Sequence, residues 1–201
     1  MAFVEAVTLR GAHAVIEPLA HAHEAGVKAA ATDGELWRLW YTSVPAPENT
    51  KAWIDTALDM RDRQGALTFV VREAGSGDIV GSTRYFNVDA ANRRLEIGHT
   101  WYAKRVQRTA VNTETKILLL AHAFETLDCI AVEFRTNYFN FASREAIARL
   151  GAKQDGILRH HQILPDGTLR DTVVFSIVAP EWPTVKKNLI WRLTRPRQNA
   201  G

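Results

Sequence analysis

The chain has 201 residues, 46% of them hydrophobic, which suits one domain with a full core better than two small ones. No apolar run approaches the ~20 residues of a membrane span, and the opening MAFVEAVTLRGAHAV carries Glu5 and lacks a signal-peptide pattern, so a cytoplasmic protein with no membrane partner is expected. The single cysteine, Cys129, excludes an intramolecular disulfide framework and a multi-cysteine zinc site, and the net charge of +3 is a property of one end, since Lys186, Lys187, Arg192, Arg195 and Arg197 follow the last acid, Glu181.

In chain order, VTLRGAHAVIEPL alternates loosely and predicts a first strand, and LAHAHEAGVKAAAT a helix. DGELWRLWYTSVPAPENT breaks the pattern with Asp-Gly and two prolines. Glu48 to Arg63 has helical apolar spacing at Trp53, Ala57, Leu58 and Met60. LTFVVRE, IVGSTRYFNV and RLEIGHTWY, separated by GSGD and DAANR turns, predict a consecutive antiparallel meander. A helix is expected over Thr113 to Leu127, then a buried strand IAVEFRT; Cys129, just before it in the apolar stretch LDCIAVEF, reads as a core thiol. Asn140 caps the helix FASREAIARLG, which Gly151 closes. KQDGILRHHQIL and RDTVVFSIV flank Pro165-Asp166-Gly167 as a hairpin, and EWPTVKKNLIWRL reads as a last helix in a basic tail over 181–201. The order implies a mixed α/β (α+β) domain built on one sheet.

The informative stretch runs from Lys104 to Asn112, where a strand feeds a helix. The first N–H groups of a helix lack partners and the dipole is positive there, so such a junction can seat an anion. Lys104, Arg105 and Arg108 add charge, Ala110 is small, and Asn112 or Thr113 is placed to cap. The residues alone leave two readings open, a phosphate seat and an ordinary capped helix with a basic entrance.

The surroundings resemble the GNAT-type N-acetyltransferases, whose pyrophosphate loop reads Gln/Arg-x-x-Gly-x-Gly/Ala after the fourth strand. Here Gln107-x-x-Ala110-x-Asn112 follows LEIGHTWY and precedes TETKILLLAHAF, and Asn140-x-x-Ser143 runs on to ARLGA. LEIG, the Asn-x-x-Ser helix and the LPDG hairpin are similar to the ribosomal-protein (RimJ/RimL-like) branch, and the resemblance covers residues 7–180. It implies a GNAT-like acyl-CoA N-acyltransferase fold over 1–180, a mostly antiparallel mixed sheet flanked by helices. It also implies acetyl-CoA as co-substrate, with contacts from Thr100, Trp101, Arg105, Gln107, Arg108, Thr109, Ala110, Val111, Asn112, Thr113, Asn140, Ser143 and Arg144. The chain departs from the pattern at Ala110 and Asn112, at Ile147 where many members carry a tyrosine acid, and at Ala152 where Phe is customary.

Acetyl transfer to an amine requires a neutral amine, a polarised carbonyl and a leaving thiolate. Glu96, on the strand leading to the loop, is the candidate base or amine orienter; its alternative is a cross-strand ion pair with Arg84 or Arg94. His99 falls on the opposite face unless Gly98 forms a bulge. Ser143 is the candidate for bonding the CoA sulfur, and an N–H near Thr100 or Trp101 for polarising the carbonyl. Trp37, Trp40, Tyr41 and Tyr85 are candidates for the acceptor cleft, and of the adjacent His160 and His161, which point to opposite faces, His160 is the candidate. No metal-ligand spacing and no GxxxxGK[ST] loop is present. The expected partners are acetyl-CoA and an amine acceptor, a protein N-terminus or a small amine, in a chain compatible with a homodimer. A catalytically inactive acyl-CoA-binding module is the second reading; a nucleic-acid binder acting through the basic tail is the third.

Overall fold

The computed structural model describes residues 3–195, so Arg197 and the end of the basic segment lie outside the described residues. Eight strands form one sheet in the order β1-β2-β3-β4-β5-β6-β8-β7. They are β1 (Leu9–Arg10), β2 (Ala14–Pro18), β3 (Leu67–Glu73), β4 (Ile79–Asp89), β5 (Arg94–Tyr102), β6 (Ala131–Asn137), β7 (Lys153–Ile163) and β8 (Leu169–Val178). Every neighbouring pair is antiparallel except β5 with β6. The helices are α1 (Glu24–Thr32), α2 (Thr50–Gln64), α3 (Ala110–Ala121), α4 (Phe141–Arg149) and α5 (Trp182–Thr194). No described helix is long and apolar enough to cross a membrane.

Strand alternation sorts the core into two layers. Phe69, Tyr85, Leu95, Ile97, Phe134 and Val173 pack with Leu119 and Leu120 of α3, Ile147 of α4, and Trp182 and Leu189 of α5. On the other face, Val70, Val80 and Trp101 pack with Val27 and Ala31 of α1 and Ile54 and Ala57 of α2. The helical part of the basic C-terminal segment is therefore not a solvated tail, because α5 seals the first layer with Trp182, 5% exposed, and Leu189, 1% exposed. Cys129 is buried in the same layer, and burial pushes its thiol up to about 11.

The expected first strand is broken into a hairpin. Its turn is fixed from a distance: the buried carboxylate of Glu114 on α3 accepts from the N–H groups of Ala12 (3.0 Å), His13 (2.5 Å) and Ala14 (2.7 Å). Gly11 leaves room for that carboxylate, since a Cβ there would lie 2.3 Å from Glu114 Cδ. Glu114→Ala leaves three buried or half-buried donors unpaired, and urea unfolding followed by circular dichroism is expected to show a loss of about 3 kcal/mol.

Candidate active site

β5 and β6 are paired only where Arg94, Leu95 and Glu96 oppose Ala131, Val132 and Glu133. Beyond those pairs the two strands part. The cause lies partly in β5: the β4–β5 register shifts between Ser82 and Arg84, and His99 adopts a left-handed φ of 49°. This bulge sets one extra residue against β4 and turns the strand away. The opened gap exposes unpaired backbone edge on both strands, a seat for an extended ligand.

At the end of β5, Lys104–Val106 forms a 3-10 turn, Arg108 takes φ 59°, and Thr109 caps α3 by accepting from Val111 N at 3.3 Å. The helix thus starts three residues earlier than Thr113, and neither Asn112 nor Thr113 is the cap. The backbone amides of Ala110 and Asn112 have no partner among the described residues, as the first turn of a helix dictates. The positive-φ position is Arg108, one that usually favours glycine, whereas the small residue is Ala110. Gln107 turns inward and donates to the Tyr102 carbonyl at 3.0 Å. Arg105 lies in the loop with its exposed guanidinium bound to Glu73 (2.7 Å) and Asp78 (3.2 Å). Arg108 remains exposed beside the amides.

Across the gap, Asn140 caps α4 by accepting from Ser143 N at 3.0 Å. The Ser143 hydroxyl is half-buried and makes no hydrogen bond among the described residues. Arg144 lies on the Tyr138 ring at 4.8 Å and donates to the Tyr138 carbonyl. Ile147 is buried in the core.

On the α1/α2 face, Glu96 is 3% exposed at the last paired position. Its Oε2 accepts from Asn87 Nδ2 at 2.9 Å and faces Arg135 Nε at 3.4 Å. The expected partners are elsewhere: Arg94 pairs with Glu133, and Arg84 donates to Met60 Sδ. The Glu96 Oε1 atom lies 3.5 Å from where a Cβ of Gly98 would be, so it points along the strand toward the bulge. Burial raises the Glu96 pKa, with Asn87 and Arg135 opposing. A cavity of about 530 Å³ opens on the paired side of Glu96, between Asn87, Arg94, Glu133 and Arg135.

The bulge brings His99 to the same side. Its ring stands edge-on to Phe86 at 4.9 Å, and Nδ1 shares a 3.3 Å hydrogen bond with Ser43 Oγ. One edge is open to solvent, yet desolvation by its neighbours and the charges of Arg84 and Arg170 lower its pKa to about 4. Of the two adjacent histidines, His161 bonds Thr172 Oγ1 at 3.1 Å. His160 sits at φ 48° in a wide bulge, held through its own N–H to Asp171, and its ring is exposed on the edge strand.

Below the gap, Lys116 of α3 is 6% exposed and donates to Thr100 Oγ1 at 2.8 Å and toward Thr83 Oγ1 at 3.5 Å. Its Nζ is 6.0 Å from the Phe134 ring centre on β6, so the amine spans the parted strands. Asn112 Oδ1, Thr115 Oγ1 and Tyr102 Oη are buried nearby in sequence and fold, each without a partner among the described residues. Lys116, Arg135 and Arg170 were missed by sequence reasoning, and Arg84 was weighed only as an ion-pair partner of Glu96. The only available signal was that Asn112, Thr115 and Lys116 share one helix face with Leu119, where an apolar stripe is the rule.

Among the aromatic candidates, Trp40 is 59% exposed, touches Tyr41 (5.4 Å), and reaches Phe139 before α4 (6.1 Å), bridging the mouth of the gap. Trp37 is half-buried in the same loop. The Trp101 side chain packs on Trp53, which leaves only its backbone for the gap. Tyr85 is a correction: it is 0% exposed, packs on Phe69 and donates to the Leu119 carbonyl at 2.5 Å, because its strand position faces α3 rather than the cleft. Among the described residues no group of three or more His, Cys, Asp or Glu is placed to hold a metal ion.

Residues 13–153 match the family profile described as an acetyltransferase (GNAT) domain. A GCN5-related N-acetyltransferase from Brucella melitensis is 27% identical over 98% of this chain and 90% of its own, with a TM-score of 0.86. A structure from T. thermophilus, provisionally assigned as an acetyltransferase, is 33% identical over 94% of this chain and 98% of its own, TM-score 0.83. Mycobacterium smegmatis RimJ, solved with CoA-disulfide, shares the fold at 20% identity over 93% of each chain, TM-score 0.74. No curated protein sequence matches.

Proposed function

We propose a specific reaction for a chain that belongs to the GNAT acetyltransferase family: transfer of an acetyl group from acetyl-CoA to a primary amine by direct attack in a ternary complex. The observation that carries it is the parted β5–β6 pair placed next to an α3 N-terminus whose amides at Ala110 and Asn112 are unpaired. GNAT enzymes use acetyl-CoA, and the RimJ structure of the same fold holds a CoA derivative.

The residues fit such a substrate. The free amides and the exposed Arg108 meet the diphosphate, by dipole and by charge. The open edges of β5 and β6 pair with the amide groups of the pantetheine arm, and Asn140 and Ser143 flank it from α4. Acetyl-CoA supplies the acyl group as a thioester. Glu96, with one oxygen held by Asn87 and the other directed toward Gly98, takes the proton from the acceptor ammonium. An N–H of the bulged segment near Thr100 or Trp101 receives the developing oxyanion. The Ser143 hydroxyl, which has no internal partner among the described residues, is free to bond the departing sulfur.

The test is Ala110→Glu. A carboxylate and added bulk at the phosphate seat are expected to weaken CoA binding by roughly a hundredfold or more, read by titration calorimetry. Unaltered affinity removes the loop from the reading.

A further inference from the structure

We infer that the acceptor is a small zwitterion, carrying a carboxylate close to its reacting amine, and that Arg84 and Arg170 receive that carboxylate beside His99. This rests on the N-acetyltransferase reading and narrows its acceptor.

Arg84 stands opposite Gly98 in the β4–β5 pairing and is 3% exposed. Its one hydrogen bond goes to the Met60 thioether, a weak acceptor, and its Nε is buried with no partner among the described residues. A buried guanidinium without an anion is costly, and its fork of donors is shaped for a carboxylate. Burial lowers its pKa to about 10.

Arg170 comes from the far side. Thr172 pairs with Asn137 at the last β6–β8 position, and Arg170 lies two residues further along the same face of β8, at the open end of the gap. Its Nε is also buried and unpartnered among the described residues. It lies close enough to Glu96 and His99 to act on the charge of both.

The remaining charges facing this space are already matched. Arg135 is bonded to Glu133 and faces Glu96 Oε2, and Arg94 is paired with Glu133. Around Gly98, which has no side chain, the free carboxylate oxygen of Glu96 thus lies near two cations that form no ion pair among the described residues. That charge pattern complements an amine and a carboxylate held a few bonds apart. His99, neutral at pH 7 and anchored to Ser43, adds a hydrogen-bonding edge without competing for the anion. The N-terminus of a protein presents a peptide carbonyl where this site offers two guanidinium groups.

The experiment measures thiol release from acetyl-CoA with free amino acids, each against its own carboxamide, and with peptides that begin in neutral residues. Amino acids are expected to exceed their amides in kcat/KM by roughly thirtyfold or more. Arg170→Met should collapse that preference through KM, whereas Arg170→Lys, which keeps charge but not the fork, should restore part of it. Retained CoA binding certifies the fold of each variant. Amides or neutral peptides working as well as amino acids overturns the inference while leaving acetyl transfer intact. Absence of CoA binding by the unaltered protein overturns both.

Discussion

Glu96→Gln is expected to lower kcat by a factor of roughly 10²–10⁴ and to leave CoA affinity within about threefold. The asymmetry follows from position. Glu96 lies on the α1/α2 face of β5 at the last paired residue, away from the α3 amides, so in the proposed reaction its loss touches proton transfer and not the proposed diphosphate seat. Glutamine preserves the size of the side chain and the acceptor for Asn87 but cannot take a proton. The pH dependence gives a second readout. Burial raises the pKa of Glu96, so the rate in the unaltered protein should climb with pH through that raised value, as the carboxylate becomes the base. The Gln variant should lack this climb. Full activity of the variant at every pH places the base elsewhere, and His99, neutral at pH 7, is then the next candidate.

Lys116→Met is expected to stabilise the free protein by about 2–4 kcal/mol at pH 7, a rise in Tm of roughly 5–15 °C. Lys116 is buried with only hydroxyl partners, and desolvation pushes its pKa from 10.5 down to about 7. Below pH 7 the folded and unfolded states both carry the proton, and the fold bears the burial of a cation. Between about pH 7 and 10.5 the unfolded chain still holds a proton that the folded chain has released, so stability rises with pH. Above 10.5 the penalty is gone. Methionine fills a similar volume, and Thr83 and Thr100 keep their mutual 2.8 Å hydrogen bond. Denaturant titrations of both proteins from pH 6 to 10 should converge at the alkaline end. Equal stability at pH 7 refutes the penalty.

The sheet was legible because its strands announce themselves. LTFVVRE and RLEIGHTWY are β3 and β5 residue for residue, and Asn140 and Gly151 bracket α4 as capping chemistry requires. What stayed hidden depended on contacts remote in sequence. The break between β1 and β2 is imposed by Glu114, about a hundred residues away. The start of α3 was misplaced because Thr109, not Asn112 or Thr113, supplies the capping oxygen. The partners of Arg105, Glu73 and Asp78, were equally invisible, since only the fold brings those acids beside the loop. Tyr85 was assigned to the cleft from residue type alone, and strand parity sends it to the core. Around Glu96 the pattern was reversed: the stated condition for His99 to join it, a bulge next to Gly98, is met by a left-handed residue that no local composition signals.

The short β5–β6 pairing has a mechanical consequence. Three strand residue pairs, with a backbone bond from Ile130 N–H to the Arg93 carbonyl beside them, stitch the five strands β1–β5 to the three strands β6, β8 and β7; ion pairs such as Arg94–Glu133 and packing against α3 and α5 supply the rest of that junction. Two semi-independent leaves hinged on a narrow seam should open separately before global unfolding. Amide protons of the C-terminal leaf then exchange with deuterium faster than those of β3 and β4, and a molecule lodged in the cleft slows both rims together by acting as the missing rung between them.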